Sequence, residues 1–186
     1  MKLKNLFFAI ALTLTTQIGI AQTTPLPATE VLNAAIQKAK KEKKHVLAIF
    51  HASWCGWCHK MIASLENPMV KPYFDRNYVI ADFTVYERKG KENQENPGAA
   101  DLLKRYNNAD QGLPTWLVFD DKGNLIADSQ IRPAGAAINT KGENVGCPAK
   151  PEEVAHLIAS LKKSSKLTDK ELGEIALVFS KNGNQR

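Results

Sequence analysis

His45-Val46-Leu47-Ala48-Ile49-Phe50-His51-Ala52-Ser53-Trp54-Cys55-Gly56-Trp57-Cys58-His59-Lys60-Met61 decides how this chain is read. His45 to Phe50 is a short, bounded and mostly apolar run, the pattern of a strand buried on both faces. From Cys55 the spacing of Met61, Ile62, Ala63 and Leu65 turns helical and runs to Asn67-Pro68. A Cys-x-x-Cys pair therefore falls where a buried strand hands over to the first turn of a helix, a specific context for thiol chemistry.

That position has a physical consequence. The unpaired N–H groups at a helix N-terminus stabilise a thiolate, lowering a cysteine from about 8.5 toward 7 or below. Cys55 is thus placed as the nucleophile. Cys58, one turn on, is placed to attack a mixed disulfide at Cys55 and release the partner. Gly56 is expected to let the backbone turn tightly, and Trp54 and Trp57 to offer apolar surface to a polypeptide. Two other readings stand beside this one: a structural disulfide, whose small ring would constrain the unfolded chain little, and a metal site recruiting His51 or His59. His59 reads as an exposed helix residue, whereas His51 is placed to move a proton.

Outward from this centre the pattern alternates. Apolar residues Val31, Leu32, Ala35, Ile36 and Ala39 give a helix from Thr29 that ends in lysines, as the helix dipole favours. A short helix is expected over Met69 to Asp75, a strand over Tyr78 to Val85, a charged loop over Arg88 to Pro97, and a helix over Ala99 to Tyr106. Thr115 to Phe119 and Leu125 to Ala127 flank Asp120-Asp121-Lys122-Gly123-Asn124, a hairpin signal. Ile131 to Ala149 reads as an irregular insertion. Pro151 opens a helix with Val154, Leu157, Ile158 and Leu161 toward the core, and Thr168 to Glu171 has capping-box spacing before a last helix. There is no internal repeat and no low-complexity block. The expected order is α-β-α-β-α-β-β-α plus a C-terminal helix, an α/β layered domain.

The chain has 186 residues, 25 Lys and Arg against 19 Asp and Glu, 44% hydrophobic residues and three cysteines. Those values suit one globular domain and exclude wholesale disorder, a multi-span membrane protein and a disulfide-stapled miniature scaffold. Met1 to Ala21 carries Lys2 and Lys4, an apolar stretch from Leu6 to Leu14, and small residues Gly19 and Ala21, so residues 1–21 read as a secretory signal peptide. Its apolar part is short of the roughly 20 residues that cross a bilayer. Cleavage would remove two lysines and no acid, leaving 23 basic and 19 acidic residues, a charge of +4. That surplus, and a basic run at Lys38 to Lys44 with no aromatic residues interleaved, gives no footprint for nucleic acid. Periplasmic or otherwise exported localisation follows, with no stable membrane insertion after cleavage. Residues 22–28 form a flexible lead-in, 29–163 the main domain and 164–186 a helical extension.

Strand, Trp54-Cys55-Gly56-Trp57-Cys58, helix, strand, helix, then Gly112-Leu113-Pro114-Thr115 entering a strand and a Gly-containing hairpin, together resemble the thioredoxin family over roughly Thr29 to Leu161. Ala52 to Met61 and the Asn-Pro second helix are similar to exported bacterial thioredoxin-like proteins. The resemblance implies a thioredoxin-like fold, with a central mixed sheet flanked by helices, and a protein thiol:disulfide oxidoreductase without a cofactor. It implies cysteine-containing exported proteins as substrates and an upstream thiol–disulfide electron donor or acceptor. It further implies a cis Pro114, with Leu113 and Pro114 beside the cysteines holding an extended substrate segment. One departure stands out: the family's usual buried acid six residues before the first cysteine is Ile49 here, and His51 and Asp82 are the candidates for proton transfer in its place. A loss of turnover along with that acid is the alternative, a binding module for protein or metal ligands. Cys147 remains open as a third redox partner, an intermolecular bridge or an exposed thiol.

Overall fold

The computed structural model describes residues 24–184. The signal-peptide reading of 1–21 lies outside the described residues. Helix α1 (Ala28–Glu42) leads into β1 (His45–His51), α2 (Gly56–Leu65), α3 (Lys71–Asn77) and β2 (Tyr78–Thr84). Then follow α4 (Ala99–Arg105), β3 (Thr115–Phe119), β4 (Leu125–Asp128), the short strands β5 (Gln130–Ile131) and β6 (Glu143–Asn144), α5 (Pro151–Ser164) and α6 (Asp169–Ser180).

The sheet order is β2-β1-β3-β4. Strand β1 runs parallel to β2, with Ile49 opposite Asp82, and antiparallel to β3, with Ile49 opposite Trp116. Alternate side chains of this central strand enter two cores, because a strand presents successive residues to opposite faces. Val46, Ala48 and Phe50 pack with α1 and α4 through Leu32, Ala35, Ala39, Leu102 and Leu103. Leu47 and Ile49 join Met61 and Leu65 of α2, Phe74 of α3, Leu157 and Leu161 of α5, and Ile175 and Phe179 of α6. The hydrophobic run of β1 thus has no solvent side, and the mixed sheet is covered by helices on both faces, with a C-terminal helix added.

Local chemistry sets the element ends. Thr168 Oγ1 accepts the Glu171 N–H at 3.3 Å while Glu171 accepts the Thr168 N–H at 2.8 Å, the reciprocal cap expected from their spacing. In the β3–β4 hairpin Asp120 accepts the N–H groups of Lys122 and Asn124, and Gly123 has a φ of +85°.

Several expectations shift. The short second helix starts at Lys71, not Met69, because Asn67 holds Met69 and Val70 in a turn: its side chain accepts the Met69 N–H and its carbonyl the Val70 N–H. The segment expected to be wholly irregular contains the β5–β6 hairpin, with Gln130 opposite Asn144. Ile158, expected in the core, is only partly buried at its edge.

Candidate active site

Cys55 is the N-cap residue of α2, in extended backbone with φ −85° and ψ 104°. Its Sγ accepts the Cys58 N–H at 3.2 Å. The two cysteines are disulfide-bonded with their Cα atoms 5.2 Å apart, within the ordinary range for such a bond. Both cysteines are buried, Cys55 at 5% exposure being slightly the more accessible residue and Cys58 at 1% the less. Ala52 and the two cysteines form a small apolar cluster against Leu113.

The N-cap position means that negative charge on Cys55 would meet a helix N–H and the positive end of the α2 dipole. Gly56 does not serve as expected. It is absent from the positive-φ residues, and an added Cβ there would meet nothing within 4 Å. What its lack of a side chain provides is open space beside Cys55.

Trp54 and Trp57 flank the disulfide and are 45% and 47% exposed. Both are held from behind. Trp54 donates its indole N–H to the Tyr86 carbonyl at 2.8 Å, with the Arg88 guanidinium 5.5 Å from its ring. The Lys60 ammonium stands 4.4 Å from the Trp57 ring centre and donates to the Asn182 carbonyl at 3.1 Å. The turn before Cys55 is tied down by Glu87, whose carboxylate accepts the Ser53 N–H at 2.5 Å and the Ser53 hydroxyl at 2.8 Å. Those bonds from Ser53 hold Glu87 below the usual carboxylate range against the opposing effect of desolvation, the largest single influence on it. Tyr86, Glu87 and Arg88 went unnoticed in the sequence because a charged loop gives no sign of which strand end it will fold against.

The Leu113–Pro114 peptide bond is cis, and the Leu113 carbonyl oxygen lies 3.6 Å from Cys55 Sγ. Leu113 and Pro114 therefore meet the cysteines from a loop some sixty residues away. A cleft of about 530 Å³ opens beside them, lined by Trp57, Gly112, Leu113, Val145, Cys147 and Lys150.

At the family's acid position Ile49 is buried and apolar. Its partner Asp82 lies on the neighbouring edge strand and shares its sheet face. Asp82 is exposed overall, yet desolvation raises its carboxyl above the ordinary value, with His51 pulling it down and Glu66 adding to the rise. Solvent access to Asp82 damps that rise. Among the described residues neither His51 nor Asp82 hydrogen bonds to a cysteine sulfur. His59 is exposed on α2.

Cys147 corrects one expectation. It is not an exposed thiol: it is 3% exposed, accepts an N–H of the Asn182 side chain at 3.3 Å, and burial pushes it up to about 12. The signal missed was distant, since Asn182 follows the last helix and also pairs with Ser64 of α2. Among the described residues no three His, Cys, Asp or Glu side chains converge as a metal site requires, and no helix is long and apolar enough to cross a membrane.

Residues 32–134 match the thioredoxin-like domain family. Among solved structures, the disulphide isomerase from Xylella fastidiosa Temecula1 is 19% identical, with 63% of this chain and 80% of that one covered and a TM-score of 0.46. The oxidised C-terminal domain of DsbD from Neisseria meningitidis is 28% identical, covering 56% and 84%, with a TM-score of 0.39. A thioredoxin-fold protein from Helicobacter pylori is 17% identical, covering 76% and 84%, with a TM-score of 0.39. No curated protein matches. With the family match running through the cysteine pair and on past the cis proline, this chain belongs to the thioredoxin-like domain family, and its chemistry is that of a thiol–disulfide oxidoreductase.

Proposed function

We propose that the protein exchanges disulfides with cysteine-containing exported proteins through Cys55 and Cys58, by way of a mixed disulfide at Cys55. The observation that carries the reading is the placement of Cys55 at the head of α2, as the slightly more exposed of the two cysteines and with its Sγ accepting a helix N–H. In the reducing direction the Cys55 thiolate attacks a substrate disulfide. One sulfur–sulfur bond forms to Cys55, the substrate bond breaks, and the leaving sulfur takes a proton. The Cys58 thiolate then attacks Cys55 Sγ, re-forming the pair observed here and releasing the second substrate thiol. Two electrons have passed to the substrate, and an upstream dithiol restores the pair. The oxidising direction is the same sequence reversed. Trp54, Gly56, Trp57, Leu113 and Pro114 form the surface that receives the substrate, and His51 or Asp82 takes the Cys58 proton.

Export rests on the residues of 1–21: two lysines, a short apolar stretch, then Gly19 and Ala21. It places the protein in the periplasm or another exported compartment, where disulfides persist. In the same reading residues 29–163 are the thioredoxin-like domain and 164–186 an extension whose helix α6 closes its core.

Insulin reduction by dithiothreitol tests the activity. Wild type should accelerate it and Cys55→Ser should not; equal rates would refute the proposal. Cys58→Ser should accumulate mixed disulfides at Cys55, and failure to trap any would refute the assigned roles. The reduction potential of the pair then gives the direction, near −270 mV for a reductant and near −120 mV for an oxidant.

A further inference from the structure

Asn144 sits on β6, in the segment between β4 and α5 that the redox chemistry leaves without a task. Its side-chain nitrogen donates to the carbonyls of Gln111 at 3.0 Å, Gly112 at 3.2 Å and Pro114 at 3.1 Å, with the Thr115 hydroxyl at 3.5 Å. Three carbonyl oxygens facing one atom require that atom to be the NH₂ nitrogen, since the amide oxygen would be repelled by all three. The amide oxygen in turn accepts the Gly146 N–H at 3.1 Å, which fixes the orientation of the group.

This one amide gathers the carbonyls of a loop whose other anchors are the packing of Leu113 against Ala52 and the cysteines and the pairing of Thr115 with Phe50 of β1. Within Gln111 to Thr115 the internal bond is that from the Thr115 hydroxyl to the Gly112 carbonyl at 2.9 Å. Asn144 itself is anchored on rigid structure. Val145 donates to the Ser129 carbonyl at 2.8 Å, and the fully buried Trp116 donates its indole N–H to the Gly146 carbonyl at 3.1 Å. The loop is the one that sets the Leu113 carbonyl 3.6 Å from Cys55 Sγ. A partner sulfur bonded to Cys55 at about 2 Å lies within about 6 Å of that carbonyl, close enough for the polypeptide carrying it to run past Gly112 and Leu113. Among the described residues the Leu113 N–H donates to nothing, which leaves a backbone donor and acceptor for an extended chain.

We infer that Asn144 is a positioning residue for polypeptide substrates: by holding the Gln111–Thr115 loop it presents the Leu113 backbone to an extended chain, so the 130–149 segment favours protein disulfides over small ones. The inference rests on the oxidoreductase reading above. A small disulfide needs only to reach Cys55 Sγ and makes no use of the loop.

The test compares insulin with bis(2-hydroxyethyl) disulfide as substrates for wild type, Asn144→Ala and Asn144→Asp. Asn144→Asp keeps the shape, removes both donors and sets a carboxylate against three carbonyls. Both variants should lose about tenfold in kcat/KM on insulin, chiefly through KM, while staying within twofold of wild type on the small disulfide and keeping the reduction potential unchanged. Equal losses on both substrates, no loss on insulin, or failure of both variants to fold would each overturn the assignment. Wild type inactive on both substrates would instead count against the oxidoreductase reading.

Discussion

Treating the oxidised protein with iodoacetamide at pH 8 probes Cys147, the free cysteine beside a closed Cys55–Cys58 pair. Burial raises its thiol from an ordinary 9.0 to about 12. At pH 8 about a tenth of an ordinary thiol is ionised, against about one part in ten thousand for Cys147, a thousandfold deficit in the reactive form. A more basic thiolate is intrinsically more nucleophilic, and a Brønsted slope of about 0.4–0.5 over three units returns roughly a factor of 20. Native Cys147 should therefore alkylate at least about fiftyfold more slowly than in the urea-unfolded chain, before burial of the sulfur slows it further. Mass spectrometry with time reads the ratio. A native rate within fivefold of the unfolded rate would refute the reasoning and return Cys147 to the role of an accessible redox partner.

Stability should fall on the alkaline side. Cys147 and Tyr78, the latter raised from 10.0 to about 12 by burial, hold their protons in the fold after the unfolded chain has begun to lose them. Their contribution is complete below pH 9 and drains away as pH rises toward 12, by roughly 2–3 kcal/mol at pH 10.5. Urea midpoints at pH 8 and 10.5 check this, Tyr78→Phe should flatten part of the drop, and a flat profile would contradict it. Phe179→Ala should cost about 3–5 kcal/mol by thermal or urea unfolding, because Phe179 is fully buried and lies 6.5 Å from the Phe74 ring centre. A cost under 1 kcal/mol would mean that α6 is not part of the core.

How much of the site could be read in advance depended on how local its causes are. Cys55 and Cys58 were legible because three neighbouring facts coincide: a strand with no polar side, a two-residue spacing, and a helix that begins directly after the first cysteine. The Thr168–Glu171 cap was legible for the same reason, as reciprocal bonds three residues apart need no distant partner. Pro114 was identified beside the cysteines only through its family resemblance, since nothing within Gly112-Leu113-Pro114-Thr115 says which helix it will face. Gly56 misled, because glycine permits a tight turn without requiring one.

What the chain order by itself determined is the α/β layering and the pair of cysteines at the head of a helix, both consequences of periodicity and end effects within one or two turns. The tertiary structure alone decided that Glu87 ties down Ser53, that Tyr86 and Arg88 hold Trp54, that Asn182 covers Cys147, and that Asn144 holds the loop opposite Cys55. Each joins residues roughly 30 or more positions apart through hydrogen bonds or ring contacts. Such contacts depend on where the sheet order β2-β1-β3-β4 sets the loop ends, and polar residues in loops carry no periodicity that foretells their partners.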